Sequence, residues 1–256
     1  MITTEPIIKK KDSIPETPGT DQQFEKKYLA TRQKENRVYT DEEVALLPSI
    51  ANSHPHQSEW KIRGDSARLL ANYLEKKNRV LSILEVGCGN GWLSHRLALV
   101  PGSTVTGIDI NFMELQQAGR VFSGQKNLQF IYGNILSGIG TSMTYDIIVF
   151  AASIQYFSHF AELIRKMQKL LGLDGEIHIL DSPFYKPEEI GAAKKRTADH
   201  YASLGQPDMS YHYFHHSLAE LKSIEHKLIH RPSFLDRIIN KNKNPFPWIM
   251  IKGAKE

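Results

Sequence analysis

The spacing of apolar and polar residues changes twice along the chain. Residues 1–20 have little apolar content, three prolines and a lysine triplet, which predicts a mobile tail. Residues 21–48 are partly helical in pattern, and "TDEEVALLP" sets Thr40 as an N-cap with Glu43 at the capping-box position. Residues 49–59 predict a loop. In "DSARLLANYLEKK", Ala67, Leu70, Ala71 and Leu74 recur on one face, predicting a helix from about Asp65 to Lys77.

From Val80 the pattern becomes one of short apolar runs separated by amphipathic segments. "VLSILEVGC", "STVTGIDI", "LQFIYGN", "YDIIVFAAS" and "GEIHILDS" predict five strands, buried on both faces. "WLSHRLALV", "FMELQQAGRVF" and "FAELIRKMQKLLG" predict helices, the last stopped by its glycine. Such alternation implies crossover units and an open, mostly parallel sheet with helices on both faces. After Ser182 the rhythm loosens. A long helix is predicted over 187–204, a loop and short helix over 209–222, and two closing strands in "SIEHKLIHRP" and "PFPWIMIKG". The expected fold is α/β, a doubly wound, Rossmann-like, mostly parallel seven-stranded sheet. Its expected parts are the tail (1–20), a helical extension or lid (21–64) and a main domain (65–256) with an insertion at about 183–222.

Composition narrows this only a little. The chain has 256 residues, 41% hydrophobic and 23% charged, which suits one large domain with an extension. No apolar run is long enough for a membrane span. The first twenty residues lack the apolar core of a signal peptide, and one cysteine, Cys88, excludes an internal disulfide and a Cys-based zinc site. A cytoplasmic protein is expected. The net charge of +4 is too mild to identify a partner. Histidines gather only at 54–56 and in "HYFHH" (212–216). His212 and His216 have the i, i+4 spacing of a metal pair, but no carboxylate accompanies them; partly buried aromatics on an insertion, or a pocket wall, account for them better. No metal is expected.

The most informative stretch is "ILEVGCGNGW", at the first strand-to-helix turn, where doubly wound sheets bind nucleotides. Gly87 and Gly89 allow the backbone close to a ligand, and Gly91 allows the helix to start tight against the strand. A dinucleotide turn needs its third glycine at position 92, which is Trp92. Glu85 precedes the first glycine by two residues. A carboxylate there repels a pyrophosphate and suits a ligand carrying an amino group.

"LEVGCGNG" resembles the first motif of class I S-adenosylmethionine-dependent methyltransferases. The resemblance implies that the glycine backbone approaches the methionine part of the cofactor, with Glu85 near its amino group or bound waters. It further implies that Asp109, in "GIDI", accepts the ribose hydroxyls, a position where capping of "NFMEL" is the alternative. Asn134, in "YGNIL", stands where the family usually has Asp, and its side-chain carbonyl is expected to meet the adenine amino group. Cys88, as a small buried filler, and Ile110, Ile135 and Ala151 are expected along the cofactor beside these. "YDIIVFAASIQYF" is similar to the family's fourth strand and the loop bordering methyl group and substrate. The resemblance covers about residues 60–182 and extends to the last two strands.

The implied activity is methyl transfer from S-adenosylmethionine, leaving S-adenosylhomocysteine. The donor is already activated, so positioning dominates and the family implies no fixed catalytic residue. Candidates at the strand ends are His159, Tyr156 and Tyr185, with Ser153, Gln155 and Asp181 nearby; His54, Trp60 and Arg63 are candidates from the segment before the sheet. A "[DNS]PP[YFW]" signature is missing after the fourth strand, and the C-terminal part is basic without a recognisable RNA-binding module. A small-molecule acceptor is therefore expected, and neither nucleic acid nor a membrane. A non-catalytic cofactor-binding protein and an NAD-dependent oxidoreductase are the competing readings; Trp92 speaks against the second. Acceptor, methylated atom and oligomeric state are not encoded in any motif.

Overall fold

The structure, a computed structural model, describes residues 20–138, 143–231 and 244–253. The tail expected over 1–20 lies, but for Thr20, outside them. In chain order the elements are α1 (Thr20–Lys34), α2 (Asp41–Leu46), α3 (Gln57–Glu75), β1 (Leu81–Val86), α4 (Trp92–Ala98), β2 (Ser103–Asp109), α5 (Phe112–Val121), β3 (Leu128–Tyr132), β4 (Tyr145–Ala151), α6 (Phe160–Gln168), β5 (Leu171–Leu180), α7 (Ile190–Ser203), β6 (His226–His230) and β7 (Trp248–Lys252).

The strands form one seven-stranded sheet in the order β3-β2-β1-β4-β5-β7-β6. The first five are parallel, and β7 runs antiparallel to both β5 and β6. Side-chain alternation along β1 feeds two cores. Ile83 joins Leu70 and Leu74 of α3, Leu97 of α4 and Leu115 of α5 on one face. Leu84 joins Phe160, Leu163 and Ile164 of α6 on the other. Strand order reverses between β1 and β4, so their carboxyl ends open the crevice in which such sheets bind ligands.

Two elements differ from the sequence expectation. Helix α3 begins at Gln57, not near Asp65, and runs unbroken across residue 64. Trp60 is buried seven residues before Ala67, on the same face, and extends the apolar stripe by two turns. Gly64 is tolerated within it because Pro48 lies alongside: a Cβ there would meet Pro48 Cγ at 2.9 Å. Helix α6 ends at Gln168, and Gly172 belongs to β5, which pairs with β4 from Leu171 through a register jump near Asp174. The capping box at Thr40 and Glu43 is present. Among the described residues no helix is long and apolar enough to cross a membrane.

Candidate active site

The crevice holds a cavity of about 350 Å³, inside the rough 300–1,000 Å³ range of small-molecule sites. Its floor is the turn after β1. Gly87 has φ +75°, and a Cβ there would lie 2.6 Å from Cβ of Ser153, whose hydroxyl donates to the Val86 carbonyl at 2.7 Å. Gly91, also at φ +75°, starts α4 against β3 and α5; its Cβ would overlap Phe130 at 2.5 Å and Ala118 at 2.8 Å. The glycines are thus demanded first by packing of the chain on itself. Trp92, in place of a third dinucleotide glycine, is buried in an edge-on pair with Trp60, centroids 5.2 Å apart.

At the end of β2, one carboxylate oxygen of Asp109 accepts the Gly89 amide at 2.7 Å and the other accepts the Asn111 amide at 2.8 Å. The α5 cap is Asn111, whose side chain accepts from the Glu114 amide, so Asp109 is not the capping residue. Asn134 caps a short 3-10 turn (Ile135–Ser137), its Oδ1 accepting the Leu136 amide at 2.9 Å. That leaves its side-chain NH2 and the second lone pair of Oδ1. Ile110, Ile135 and Ala151 line the same cavity, as does Cys88, whose thiol burial pushes well above its ordinary pKa.

Four acids in this cleft, Glu85, Asp109, Glu114 and Asp181, are displaced upward by burial. Burial pushes Glu85 up to about 8, opposed by the Ser94 hydroxyl that donates to it. Burial brings Glu114 to about 7 against the nearby Arg32, and burial also raises Asp109, opposed by the Gly89 amide. The counter-charge comes from the N-terminal segment. Arg32, Arg37 and Arg63 line the cavity, and Arg37 and Arg63 both bind Glu59. Burial works against ionised Glu59, but the hydrogen bonds from Arg37 and the charge of Arg63 hold it at about 2. The Nε of Arg32 is buried with no hydrogen-bond partner.

Of the catalytic candidates, Tyr156 lines the cavity, Tyr185 lines a second cavity beyond it, and His159 reaches neither. His159 is exposed at the start of α6, where its ring meets the Ser158 hydroxyl at 2.7 Å. Asp181 is buried in the wall, accepting from Ser66 of α3 at 2.6 Å and from Asn244 at 2.9 Å. Gln155 is held by the Ala152 carbonyl. Trp60 and Arg63 reach the cavity; His54 packs instead against Tyr39, centroids 5.7 Å apart. In the histidine-rich stretch, His212 faces Phe24 at 4.9 Å and His216 is buried against the Ile154 carbonyl, so the two point to different places. No group of three metal-ligating side chains gathers among the described residues.

Helix α1 closes the cleft from above. Glu25 accepts the Phe112 amide at 2.8 Å, while Lys27 and Lys34 reach Asp208 and the Leu204 carbonyl at 2.8 and 2.6 Å. Phe24, Tyr28 and Arg32 follow one another at four-residue spacing and face the cavity. That stripe is the one sequence signal that marks α1 as part of the site.

A family model described as a methyltransferase domain matches residues 77–224. The chain belongs to this family. Its fold is that of the class I S-adenosylmethionine-dependent methyltransferases. The domain is 28% identical over 147 residues to a malonyl-(acyl-carrier protein) O-methyltransferase of Halalkalibacterium halodurans, covering 54% of each chain. It spans about half the length of the curated relatives it matches. Among solved structures it is similar to an O-methyltransferase family protein from Burkholderia thailandensis, with TM-score 0.56, 11% identity and coverage of 90% of this chain and 71% of that one. It is also similar to the plantazolicin methyltransferase BpumL, solved with S-adenosylhomocysteine, with TM-score 0.54, 18% identity and coverage of 91% and 98%.

Proposed function

We propose that this methyltransferase transfers a methyl group from S-adenosylmethionine to a small-molecule or carrier-linked acceptor, with the cofactor in the cavity at the ends of β1, β2 and β4. The observation that carries this reading is the Asp109 carboxylate. It is half-buried, held by the Gly89 and Asn111 amides with a further backbone hydrogen bond from Ile110, and its remaining acceptor capacity faces the cavity for the ribose hydroxyls. The glycine turn from Gly87 to Gly89 takes the methionine part, with Glu85 beneath its amino group. The unpartnered Nε of Arg32, with Arg37 and Arg63, supplies positive charge for its carboxylate. Ile110 and Ile135 provide apolar contact for the adenine, and Asn134 its polar edge.

The cofactor supplies an activated methyl group; the protein's share is to orient an acceptor and exclude water. Tyr156 stands beside that position, and burial raises its phenol pKa, so it acts as a neutral hydrogen-bonding group and not as a base. A single cysteine, Cys88, suits a reducing compartment, and we place the enzyme in the cytoplasm.

Calorimetric titration with S-adenosylhomocysteine, with NADH as comparison, tests the reading. Micromolar binding of the first and none of the second is expected. Failure of S-adenosylhomocysteine to bind the folded protein would remove the cofactor assignment.

A further inference from the structure

A second cavity, of about 310 Å³, lies beyond the first. Tyr28, Arg32 and Tyr156 line both and form the partition. Helix α1 forms one wall and the insertion helix α7 the other, with Tyr185 from the chain just after β5. We propose that this second cavity is the acceptor site and that it takes a small molecule carrying a carboxylate. The proposal rests on the cofactor reading above, because it assigns the first cavity to the methyl donor.

Position is the first support. The cavity adjoins the cofactor cavity through Tyr156, in the turn directly after β4, so an acceptor held there lies next to the place assigned to the methyl group.

Charge is the second. Four arginines, Arg32, Arg37, Arg63 and Arg196, line the cavity against two carboxylates, Glu35 and Glu59. Glu59 takes Arg37 at 2.6 Å and Arg63 at 2.8 Å. Glu35 lies 3.4 Å from Arg37 and 3.6 Å from Arg32. Two positive charges remain in excess. One can serve the carboxylate of the cofactor, since Arg32, Arg37 and Arg63 also line the first cavity. Arg196 lines only the second, and among the described residues no carboxylate lies within 4.0 Å of it. A guanidinium offers a carboxylate two parallel hydrogen bonds, whereas an ammonium-bearing acceptor would be repelled. The rings of Tyr201 and Tyr213 complete the lining and give a short carbon chain apolar surface to pack on.

The test uses the full chain saturated with S-adenosylhomocysteine. Succinate, glutarate and adipate are titrated by calorimetry, each against its uncharged dimethyl ester. At least one diacid is expected to bind tenfold or more tightly than its ester, and to weaken as salt is added. Arg196→Gln is expected to weaken that diacid at least fivefold and to leave S-adenosylhomocysteine affinity within twofold. Binding of S-adenosylhomocysteine with no diacid binding, equal binding of acid and ester, or full diacid affinity in Arg196→Gln each overturns the carboxylate assignment and spares the cofactor reading. Failure of S-adenosylhomocysteine itself overturns the cofactor reading, and the acceptor assignment falls with it.

Discussion

The Gly89 amide donates to the Asp109 carboxylate at 2.7 Å, tying the glycine turn after β1 to the end of β2. With Asn111 holding the other oxygen, the carboxylate is fixed before any ligand arrives. Asp109→Ala therefore has two expected effects. Affinity for S-adenosylhomocysteine falls by about 1.5–3 kcal/mol, the range for hydrogen bonds to a charged group. Stability to urea falls as well, by about 1–3 kcal/mol, because the Gly89, Ile110 and Asn111 amides lose their acceptor. Asp109→Asn, which keeps an acceptor for one amide, separates the two effects. A folded Ala variant with undiminished affinity rules out the ribose role.

Gly91 makes a purely steric prediction. Its φ of +75° disfavours a side chain, and a Cβ would overlap the Phe130 ring at 2.5 Å. Gly91→Ala is expected to destabilise the fold by about 2–4 kcal/mol, combining backbone strain with overpacking. Phe130→Leu, which shortens the side chain it strikes, should recover part of that loss in the double variant. Denaturant midpoints measure both, and a Gly91→Ala protein as stable as the parent would refute the packing account.

These residues also show what sequence reading can and cannot reach. The strands from Leu81 to Leu180 are legible because each is a short apolar run, and apolar runs between turn residues have few alternatives. Glu85, Asp109 and Asn134, singled out by their offsets from strand ends, are brought to one cavity. A helical extension over 21–64 is expected from the sequence, but which face of α1 meets the cleft is hidden, because charged and amide side chains dominate "TDQQFEKKYLATRQK" and its few rings face a cleft, not a core. The four-residue spacing puts Phe24, Tyr28 and Arg32 on one face of α1, but which surface that face meets is set by long-range packing. Arg196 is hidden for the same reason: on an exposed helix it looks like any surface arginine until α1 faces it. His159 is the opposite case, a residue with suitable chemistry near a strand end whose side chain stays at the surface, as a histidine at a helix N-terminus ordinarily does.

The aromatic pair gives an inexpensive readout. Trp60 and Trp92 line the cavity proposed for the cofactor, while Trp248 is buried near the far edge of the sheet, its indole N–H donating to His178 at 3.0 Å. Binding of S-adenosylhomocysteine should change intrinsic fluorescence through the first two. The change is expected to persist in Trp248→Phe and to vanish in the Trp60→Phe, Trp92→Phe double variant. A signal retained in the double variant would place the ligand elsewhere.

Glu85 predicts a pH dependence whose sign can be worked out. Burial raises its carboxyl to about 8, whereas the ordinary value is 4.5. Between about pH 4.5 and 8 the folded protein therefore carries a proton that the unfolded chain has lost, and stability of the ligand-free protein falls as pH rises through that window. Glu114, brought to about 7 by burial, acts in the same direction. Glu85→Gln mimics the protonated state, so its stability curve should be flatter and, near pH 8, no lower than that of the parent. A ligand with an amino group beside Glu85 reverses the preference, since the cation favours the ionised carboxyl. Binding of S-adenosylhomocysteine at about pH 7 is then expected to release up to one proton and to strengthen from about pH 6 to 8. Calorimetry in buffers of different ionisation enthalpy measures the release directly. In Glu85→Gln it should largely disappear; proton uptake by the parent, or release unchanged in the variant, would mean that the amino group sits away from Glu85.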